Sequence, residues 1–407
     1  MARRTVFSSE SVTRGHPDKI CDQISDAIVD AFLYVDEQAE VSAECAVATG
    51  LVFLAVNSVS SVSVDVTGVA RQAIADIGYS KAHGFDPDTC SVITSLSHRT
   101  LKGRRGEDEP NDREQRSLPA SHQASVFGFA CLDTPERLPL PIALAHRLAR
   151  RLDEVRQANL LPYLGPDGKT LVAVEFEDDQ PIRIHTVIVN VQHAAVLGEG
   201  GARKDTQARL EGDIRDAVLM PILADSSVKF DARSRILINP GGEFVVGGPQ
   251  RDAGLTGRKN MVDTYGGYAR HGGGALSGKD PTHVDRLGSY VARYLARNVI
   301  AARLARRCEV HLSYAIGESF PLAVSVETFG TGAAPDEVLE RAVTDLIDLQ
   351  PSAVLERFGL RHLPARHGGI FYRRLAAYGH FGRRDLDLPW EQEDLAAVLA
   401  AAIGRKG

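Results

Sequence analysis

The chain has 407 residues, of which 43% are hydrophobic and 25% charged, and its net charge is -6. This length and composition predict a globular protein of two or three domains, and the charge argues against nucleic acid or an anionic membrane as the main partner. No apolar run is long enough to span a bilayer, and residues 1–11 have no apolar signal-peptide segment. Five scattered cysteines without a CxxC pair suit a reducing compartment, so we expect a cytoplasmic protein with no zinc site.

The first motif in the chain is Gly15-His16-Pro17-Asp18-Lys19. Apolar residues recur after it at three- and four-residue spacing, which predicts an amphipathic helix that begins near Pro17. Proline suits the first helical turn because its missing N–H costs nothing there. His16 and Lys19 would then lie at the positive end of the helix dipole, where cations do not stabilise the helix. A bound anion would explain them, and a lone surface histidine is the alternative.

The remaining pattern alternates strands and helices, which predicts an α+β fold with sheets covered by helices on one side. The predicted strands are Val41–Ala48, Leu51–Val56, Cys90–Leu96, Arg183–Val191, Glu309–Ile316 and Leu322–Thr328. The predicted helices are Asp65–Ile77, Pro141–Gln157, Thr206–Leu219, Val284–Arg306 and Pro335–Leu349. The polar, highly charged segment Leu101–Ser121 predicts either a mobile loop over a site or a solvated linker.

A second motif, Gly247–Lys259, places glycines around an aspartate and an Arg-Lys pair. It follows two predicted short strands, Arg235–Asn239 and Glu243–Val246, which flank the turn Pro240-Gly241-Gly242. By itself such a loop is weak support for a binding site.

The third motif, Arg270–Arg286, joins a glycine triplet, Lys279 and two acids ahead of a predicted helix. Glycines allow the backbone to approach an anion closely, and a helix N-terminus offers N–H donors. Asp280 or Asp285 could hold a magnesium ion that bridges phosphate oxygens. Three loops that each combine cationic residues with an acid predict a site for a phosphate chain and its metal ions.

These loops resemble the signature loops of the S-adenosylmethionine synthetase (methionine adenosyltransferase) family. The resemblance extends through Phe7–Val12, Gly84–Asp86, His146–Leu148, Pro166–Lys169, Ile238–Pro240, Ser313–Gly317, Glu327–Gly330, Ala377–Gly382 and Pro389–Glu391. It implies three similar α+β domains around a pseudo-threefold axis, and a homodimer, possibly a tetramer, with sites at the subunit interface. The expected segments are an N-terminal domain 1–101, a mobile active-site loop 102–121, a central domain 122–241 and a C-terminal domain 242–407.

The reaction implied by the resemblance is adenosyl transfer from ATP to the sulfur of L-methionine, with release of phosphate and pyrophosphate and dependence on Mg²⁺ and K⁺. Catalytic roles are implied for His16, Lys169, Arg258 and Lys279. ATP contacts are implied for these residues and for Lys19, Asp167, Phe244, Asp252, Lys259 and Ile316, with adenine between Phe244 and Ile316. Magnesium is assigned to Asp18 and Asp285, and potassium to Glu44.

The chain departs from the family pattern mainly where the resemblance places methionine. The implied pocket consists of Asn57, Arg99, His122, Asp252 and His283. Asn57 and His122 replace acids, Arg99 replaces an amide, and His283 replaces a lysine; Arg251 and Ala253 also differ from the family residues. Because an ammonium group favours nearby carboxylates, each lost charged hydrogen bond should weaken its site by about 1–3 kcal/mol.

Several functions therefore stay open at the level of the sequence. The chain is expected to be a methionine adenosyltransferase, or alternatively a diverged paralogue that uses another sulfur nucleophile. A triphosphatase of the same fold also fits an anion site. A non-catalytic partner subunit is a further alternative, against which the cationic loops argue.

Overall fold

The computed structural model describes residues 3–99, 119–195 and 203–404. Its strands are β1 Arg4–Val12, β2 Glu40–Ala48, β3 Leu51–Val59, β4 Ser91–Arg99, β5 Ala124–Cys131, β6 Leu164–Glu177, β7 Gln180–His193, β8 Arg235–Ile238, β9 Gly254–Leu255, β10 Arg307–Tyr314 and β11 Ala323–Glu327. Its first helices are α1 Pro17–Val35, α2 Val66–Ile77, α3 Leu140–Gln157, α4 Arg203–Ile214, α5 Met220–Ala224 and α6 Asn260–Asp263. The later helices are α7 Val284–Ala301, α8 Asp336–Leu346, α9 Pro351–Phe358, α10 Leu363–Arg366, α11 Tyr372–Leu375 and α12 Ala396–Gly404.

Three sheets organise the described residues, with the strand orders β9-β2-β3-β4 (the N sheet), β1-β6-β7-β8 (the central sheet) and β5-β10-β11 (the C sheet). The N and central sheets share one pattern, in which an antiparallel hairpin is flanked by an antiparallel strand on one side and a parallel strand on the other. The C sheet is antiparallel throughout. Mixed sheets with attached helices confirm the predicted α+β class.

One long helix packs against each sheet. These helices are α1 on the N sheet, α3 on the central sheet and α7 on the C sheet, with 19, 18 and 18 residues. Their apolar faces bury the side chains of two large cores, one shared by the N and C sheets and one beneath the central sheet. Burying an apolar stripe against a sheet is what stabilises such a layer. None of the helices in the described ranges is long and apolar enough to cross a membrane.

Strands distant in sequence complete each sheet. The central sheet receives β1 from the N-terminus, the C sheet receives β5, and the N sheet receives β9 from the second motif. The Ala46–Leu255 and Val47–Gly254 pairs fix β9 beside β2. The chain therefore returns to its first sheet with the residues that follow Gly247, which places the second motif beside the first.

Two predicted elements differ in the structure. Glu243–Val246 is not a strand. The His193 N–H donates to the Phe244 carbonyl, but the Phe244 N–H donates to the His193 ring Nε2 at 3.2 Å instead of completing a backbone ladder with β7. The helix predicted over Val284–Arg306 ends at Ala301, and Arg303 takes a left-handed backbone conformation with φ of 59° just before β10. The turn at Pro240–Gly242 is confirmed, since the Gly242 N–H donates to the Asn239 carbonyl. Residues 101–118 of the predicted mobile loop lie outside the described residues.

Candidate active site

We call Gly15–Lys19 the first loop, Gly247–Lys259 the second loop and Arg270–Arg286 the third loop.

Four aspartates at four-residue spacing on α1 hold the later segments in place: Asp18, Asp22, Asp26 and Asp30. At this spacing they share one face of the helix. Each is buried and accepts N–H groups from another segment; in order, the donors are Leu255, Gly257, Gly278 and the run Phe371–Arg373.

Sequence reasoning missed this acidic stripe. The signal was available, because four acids at i, i+4 spacing are unusual in a helix that is buried in a core. α1 joins the second and third loops to the first by satisfying their backbone donors, which positions the cationic side chains around one region.

His16 caps the N-terminus of α1, and its Nδ1 accepts the Asp18 backbone N–H at 3.2 Å. Burial and the neighbouring Lys259 ammonium lower the pKa of His16 from 6.5 to about 3. The ring is therefore neutral near pH 7, and its proton lies on Nε2 because Nδ1 acts as an acceptor. The helix start predicted at Pro17 is confirmed, and His16 presents a neutral N–H donor rather than a charge.

Lys19 does not lie on the open side of the first loop. Its side chain is fully buried, and its ammonium group contacts Asp22 at 2.8 Å and also Asp263. Burial disfavours its charged form, but the two carboxylates outweigh this and raise its pKa above the usual range. The predicted phosphate contact for Lys19 is therefore corrected: its charge neutralises buried acids that join α1 to α6.

The second loop contacts the first through Asp18 and Lys259. The Lys259 ammonium lies 2.6 Å from Asp18 Oδ2, and the Leu255 N–H donates to Asp18 Oδ1 at 3.1 Å. Gly254 is required here, because a Cβ on it would lie 2.2 Å from the Pro17 backbone. Hydrogen bonding by Lys259 lowers the pKa of Asp18, although its burial opposes the shift.

In the third loop, Lys279 contacts both an acid of the same loop and the neighbouring strand β2. Its ammonium group lies 2.6 Å from Asp285 Oδ2, and its backbone forms a bridge to Ser42 on β2. Burial raises the pKa of Glu44 on the same strand, and the Lys279 charge opposes that shift. Asp280 is fully buried and accepts the Val41 and Thr282 N–H groups at 2.7 and 2.8 Å. Of the two acids proposed for magnesium in this loop, only Asp285 is accessible.

Two of the departures from the family pattern touch each other. The rings of His122 and His283 stack with centroids 4.3 Å apart and planes inclined by 24°. His283 Nδ1 lies 3.4 Å from Asp280 Oδ2. The segment that carries His122 is hydrogen-bonded to the segment after β10, through the Ala120 N–H to Glu318 and the Gly317 N–H to Ala120. Ile316, which is exposed, directly precedes Gly317 and so lies beside this backbone connection.

The central sheet contributes Lys169 and Asp167. Lys169 lies opposite Val12 on β1, and its half-exposed ammonium contacts Glu10 at 2.6 Å. Asp167 is buried and accepts the Gly248 N–H at 2.8 Å, and burial raises its pKa to about 6. Asp167 thus fixes the start of the second loop.

Phe244 lies beside the end of β7. The Arg251 guanidinium stands 4.8 Å from the centre of the Phe244 ring, a cation–π contact that covers one ring face. Arg251 is one of the departures from the family pattern, so this chain places a cation against the aromatic ring to which adenine was assigned.

The remaining predicted residues lie at exposed positions. Asn57 and Arg99 are on the outer face of the N sheet, where Asn57 pairs with Ser42 and Arg99 with Val59. Asp252 and Arg258 are exposed in the second loop, and Asp252 Oδ1 accepts the Ala253 N–H at 2.9 Å. Within the described ranges the Arg258 guanidinium has no hydrogen bond or ion pair to a protein group, so it is free to meet a ligand.

The donor set suits a magnesium ion that arrives with phosphate. No cluster of three or more His, Cys, Asp or Glu residues suited to a metal occurs in the part of the chain that the structure describes. Asp18 and Asp285 instead stand apart, each beside a lysine. Magnesium commonly uses one or two carboxylates and completes its shell with waters and substrate phosphates, which fits this arrangement.

We expect His16 to stay neutral in the unliganded protein between about pH 5 and 8, unlike an ordinary histidine. Because its pKa is about 3 in the folded chain and near 6.5 when unfolded, the unfolded state binds more protons between these values. His16 therefore lowers stability progressively as the pH falls below 6.5. Histidine-selective NMR, with His16→Gln to identify the resonance, measures this. A His16 resonance that titrates near pH 6.5 contradicts the neutral cap.

Comparison with known proteins covers the chain from end to end. The family models described as S-adenosylmethionine synthetase N-terminal, central and C-terminal domain match residues 4–100, 117–244 and 246–392. S-adenosylmethionine synthase of Thermosynechococcus vestitus is 51% identical over 99% of both chains. The enzymes so named from Gloeobacter violaceus and Crocosphaera subtropica are 51% and 48% identical, over 98% and 100% of both chains. The matched ranges contain all three loops.

Proposed function

The chain belongs to the S-adenosylmethionine synthetase family, and we therefore propose that it transfers the adenosyl group of ATP to the sulfur of L-methionine. S-adenosylmethionine forms, and phosphate and pyrophosphate are released. The observation that carries the proposal is that α1 brings three cationic loops together in a chain about half identical to such enzymes over its whole length. This similarity favours methionine over the alternative nucleophiles and functions.

The chemistry of the step explains why the site is rich in cations and neutral donors. A thioether sulfur is nucleophilic without a general base, so the protein must position it and stabilise negative charge on the departing triphosphate. In our proposal the neutral His16 donates through Nε2–H to the oxygen that leaves C5′. The residues that hold the triphosphate are Lys169, Arg258, Lys259 and Lys279.

The metal roles follow from the carboxylates of the same loops. We assign Mg²⁺ to Asp18 and Asp285 and K⁺ to Glu44. Magnesium bound with the triphosphate would neutralise charge on its oxygens. The Asp18–Lys259 and Asp285–Lys279 pairs keep these carboxylates compensated before a metal–nucleotide complex arrives.

We place methionine next to Asn57, Arg99, His122, Asp252 and His283. Because His122 and His283 stack on each other, two of the replaced positions form a single structural unit. Their rings stand where the family pattern has an acid and a lysine. Asn57 lies on the outer face of the N sheet, in register with Ser42, which bridges to Lys279.

We propose that a second copy of this chain covers the outer face of the N sheet. Strand register places the side chains of Leu51, Phe53, Ile93 and Leu255 on this face. They are 37–53% exposed, and such an apolar patch is typical of an interaction surface. Glu44 and Asn57 lie on the same face by the same register, so a partner there would also close the site.

We expect Phe53→Arg to convert a dimer to a monomer and to lower activity at least about tenfold. A buried, unpaired guanidinium at such an interface costs several kcal/mol. Light scattering coupled to size exclusion measures the mass. Leu160→Arg, at a residue 60% exposed away from this face, is the control and should change neither quantity. An active Phe53→Arg dimer would contradict this interface.

Other parts of the proposal rest on the family resemblance. We assign the domains 1–101, 122–241 and 242–407, and we propose that segment 102–121 is a mobile loop over the site. We also propose a cytoplasmic location, in which the five buried cysteines described as free thiols stay reduced.

The direct test of the function is mass spectrometry of the purified chain with ATP, Mg²⁺, K⁺ and methionine, with phosphate and pyrophosphate measured in parallel. An ordinary synthetase is the positive control, and a reaction without methionine is the blank. S-adenosylmethionine at a rate near the control supports the proposal. Phosphate release without a sulfonium product would instead identify a triphosphatase or a different nucleophile, and a screen of thiols and thioethers would separate the two.

The pocket assignment has its own test in the combined variant Asn57→Glu and His122→Asp. Restoring two acids should strengthen the ammonium site and lower the KM for methionine. The same variant with His283→Lys separates the effect of the stacked pair from that of the charges. No change in methionine use in either variant would count against placing methionine next to these residues.

A further inference from the structure

A second cationic cavity lies outside the three loops. It has a volume of about 310 Å³ and is lined by four arginines, Arg14, Arg373, Arg374 and Arg383, together with Asp76 and Tyr378. None of the residues assigned above to ATP, methionine or metal lines it. We call it the arginine cavity. Four guanidinium groups and one carboxylate at a single cavity require an explanation, since like charges in proximity repel.

The positive charges of two of the four arginines are balanced by carboxylates of the protein. Arg383 forms a bidentate pair with Asp385, with both N–O distances at 2.9 Å, and its third nitrogen donates to backbone carbonyls. Arg373 pairs with Asp76 at 2.7 Å. Arg373 is nonetheless incompletely satisfied, because its Nε is buried without a hydrogen-bond partner and the residue is only 9% exposed. A buried donor of this kind is costly unless something accepts from it.

The other two arginines are not compensated. Arg14 donates through Nε to the neutral amide oxygen of Gln23 at 3.0 Å, and no carboxylate within the described ranges pairs with its guanidinium. Arg374 is exposed on the four-residue helix α11, and its guanidinium has no protein partner in those ranges. The cavity is thus lined by two guanidinium groups without a carboxylate partner in the described ranges, those of Arg14 and Arg374, and by Arg373, whose buried Nε has no hydrogen-bond acceptor.

We propose that the arginine cavity binds a phosphate dianion, separate from the triphosphate loops. A dianion balances the charges of Arg14 and Arg374, and its several oxygens can accept hydrogen bonds from both guanidinium groups. A monocarboxylate would leave one of the two charges uncompensated. The Arg14 main-chain N–H donates to Asp153 at 3.0 Å, which holds this residue in place. Arg14 directly precedes the first loop in the sequence. The proposal does not depend on which reaction the chain catalyses.

The test is calorimetric titration of the full chain with inorganic phosphate, repeated with pyrophosphate to distinguish a free phosphate from a longer phosphate chain. Titrations are made in wild type, in Arg374→Ala and in Lys279→Met, which removes a cation from the third loop only. Arg366→Ala is the matched control, because Arg366 is exposed and does not line the cavity.

We expect Arg374→Ala to weaken phosphate binding at least about tenfold, since a charge-assisted hydrogen bond is lost. Lys279→Met and Arg366→Ala should leave this binding within about twofold. Added salt should weaken phosphate binding in wild type.

If pyrophosphate shows the same dependence on Arg374, the cavity accepts either source of the phosphate group. If binding is lost in Lys279→Met and kept in Arg374→Ala, phosphate occupies the catalytic loops alone and the proposal is wrong. No binding of either anion would overturn it as well.

Discussion

Lys279→Met is expected to lower kcat by about 10²–10³-fold, because a preorganised charge that stabilises a developing anion contributes on this scale. Lys279 is the cation of the third loop that pairs with Asp285 and lies near Glu44 on β2. The substitution keeps an unbranched apolar side chain, one heavy atom shorter, and removes the ammonium group. Steady-state kinetics with ATP and methionine, with product followed by mass spectrometry, measures the effect.

The fold should survive this substitution. The Lys279–Asp285 pair is 18–19% exposed, and breaking a partly exposed pair costs about 1 kcal/mol or less. Lys229→Met is the matched control, since Lys229 is exposed and distant in sequence from all three loops, and it should leave kcat unchanged. Lys279→Arg keeps the charge and should retain part of the activity. A kcat for Lys279→Met within about threefold of wild type would remove Lys279 from the catalytic set.

Lys19→Met is expected to lower the free energy of unfolding by about 3–5 kcal/mol, because it leaves the buried carboxylates of Asp22 and Asp263 without their cation. This follows from the location of Lys19 in the interior, where its side chain is fully buried. Urea denaturation followed by circular dichroism at constant protein concentration measures the shift of the midpoint.

A double change separates this structural role from a role in ATP binding. Adding Asp263→Leu to Lys19→Met removes one of the two unpaired acids, so it should restore part of the lost stability. If Lys19 instead contacted phosphate, Lys19→Met would weaken ATP binding and leave the urea midpoint in place. That result would restore the sequence-based prediction for Lys19.

Local patterns were sufficient for most of the secondary structure. The helix at Pro17, the strands Val41–Ala48 and Leu51–Val56 and the long helix from Val284 are confirmed, because apolar spacing acts within a few residues. Glu243–Val246 was predicted as a strand, but it forms no ladder with any strand of the described residues. Strand formation depends on a partner, which local sequence does not supply.

The candidate site was likewise predicted only in part from local sequence. The sequence indicates the residue types, since the cations and acids of the three loops are visible as motifs. Residue types by themselves do not indicate which side chains are accessible. The third motif left both Asp280 and Asp285 open for magnesium until the resemblance assigned Asp285, and Lys19 was assigned to phosphate together with Lys259 although Lys19 is buried. Burial depends on what packs against a side chain from elsewhere in the chain.

By itself, the sequence determined the family, the α+β class and the three charged loops, because motifs and periodicity are local properties. Only the tertiary structure shows that α1 joins those loops through its aspartates. It also shows that β1, β5 and β9 each complete a sheet whose neighbouring strand lies far away in the sequence. It also decided that His122 stacks on His283. These are contacts between residues more than a hundred positions apart, and they form only when the chain folds back on itself and buries their shared surfaces.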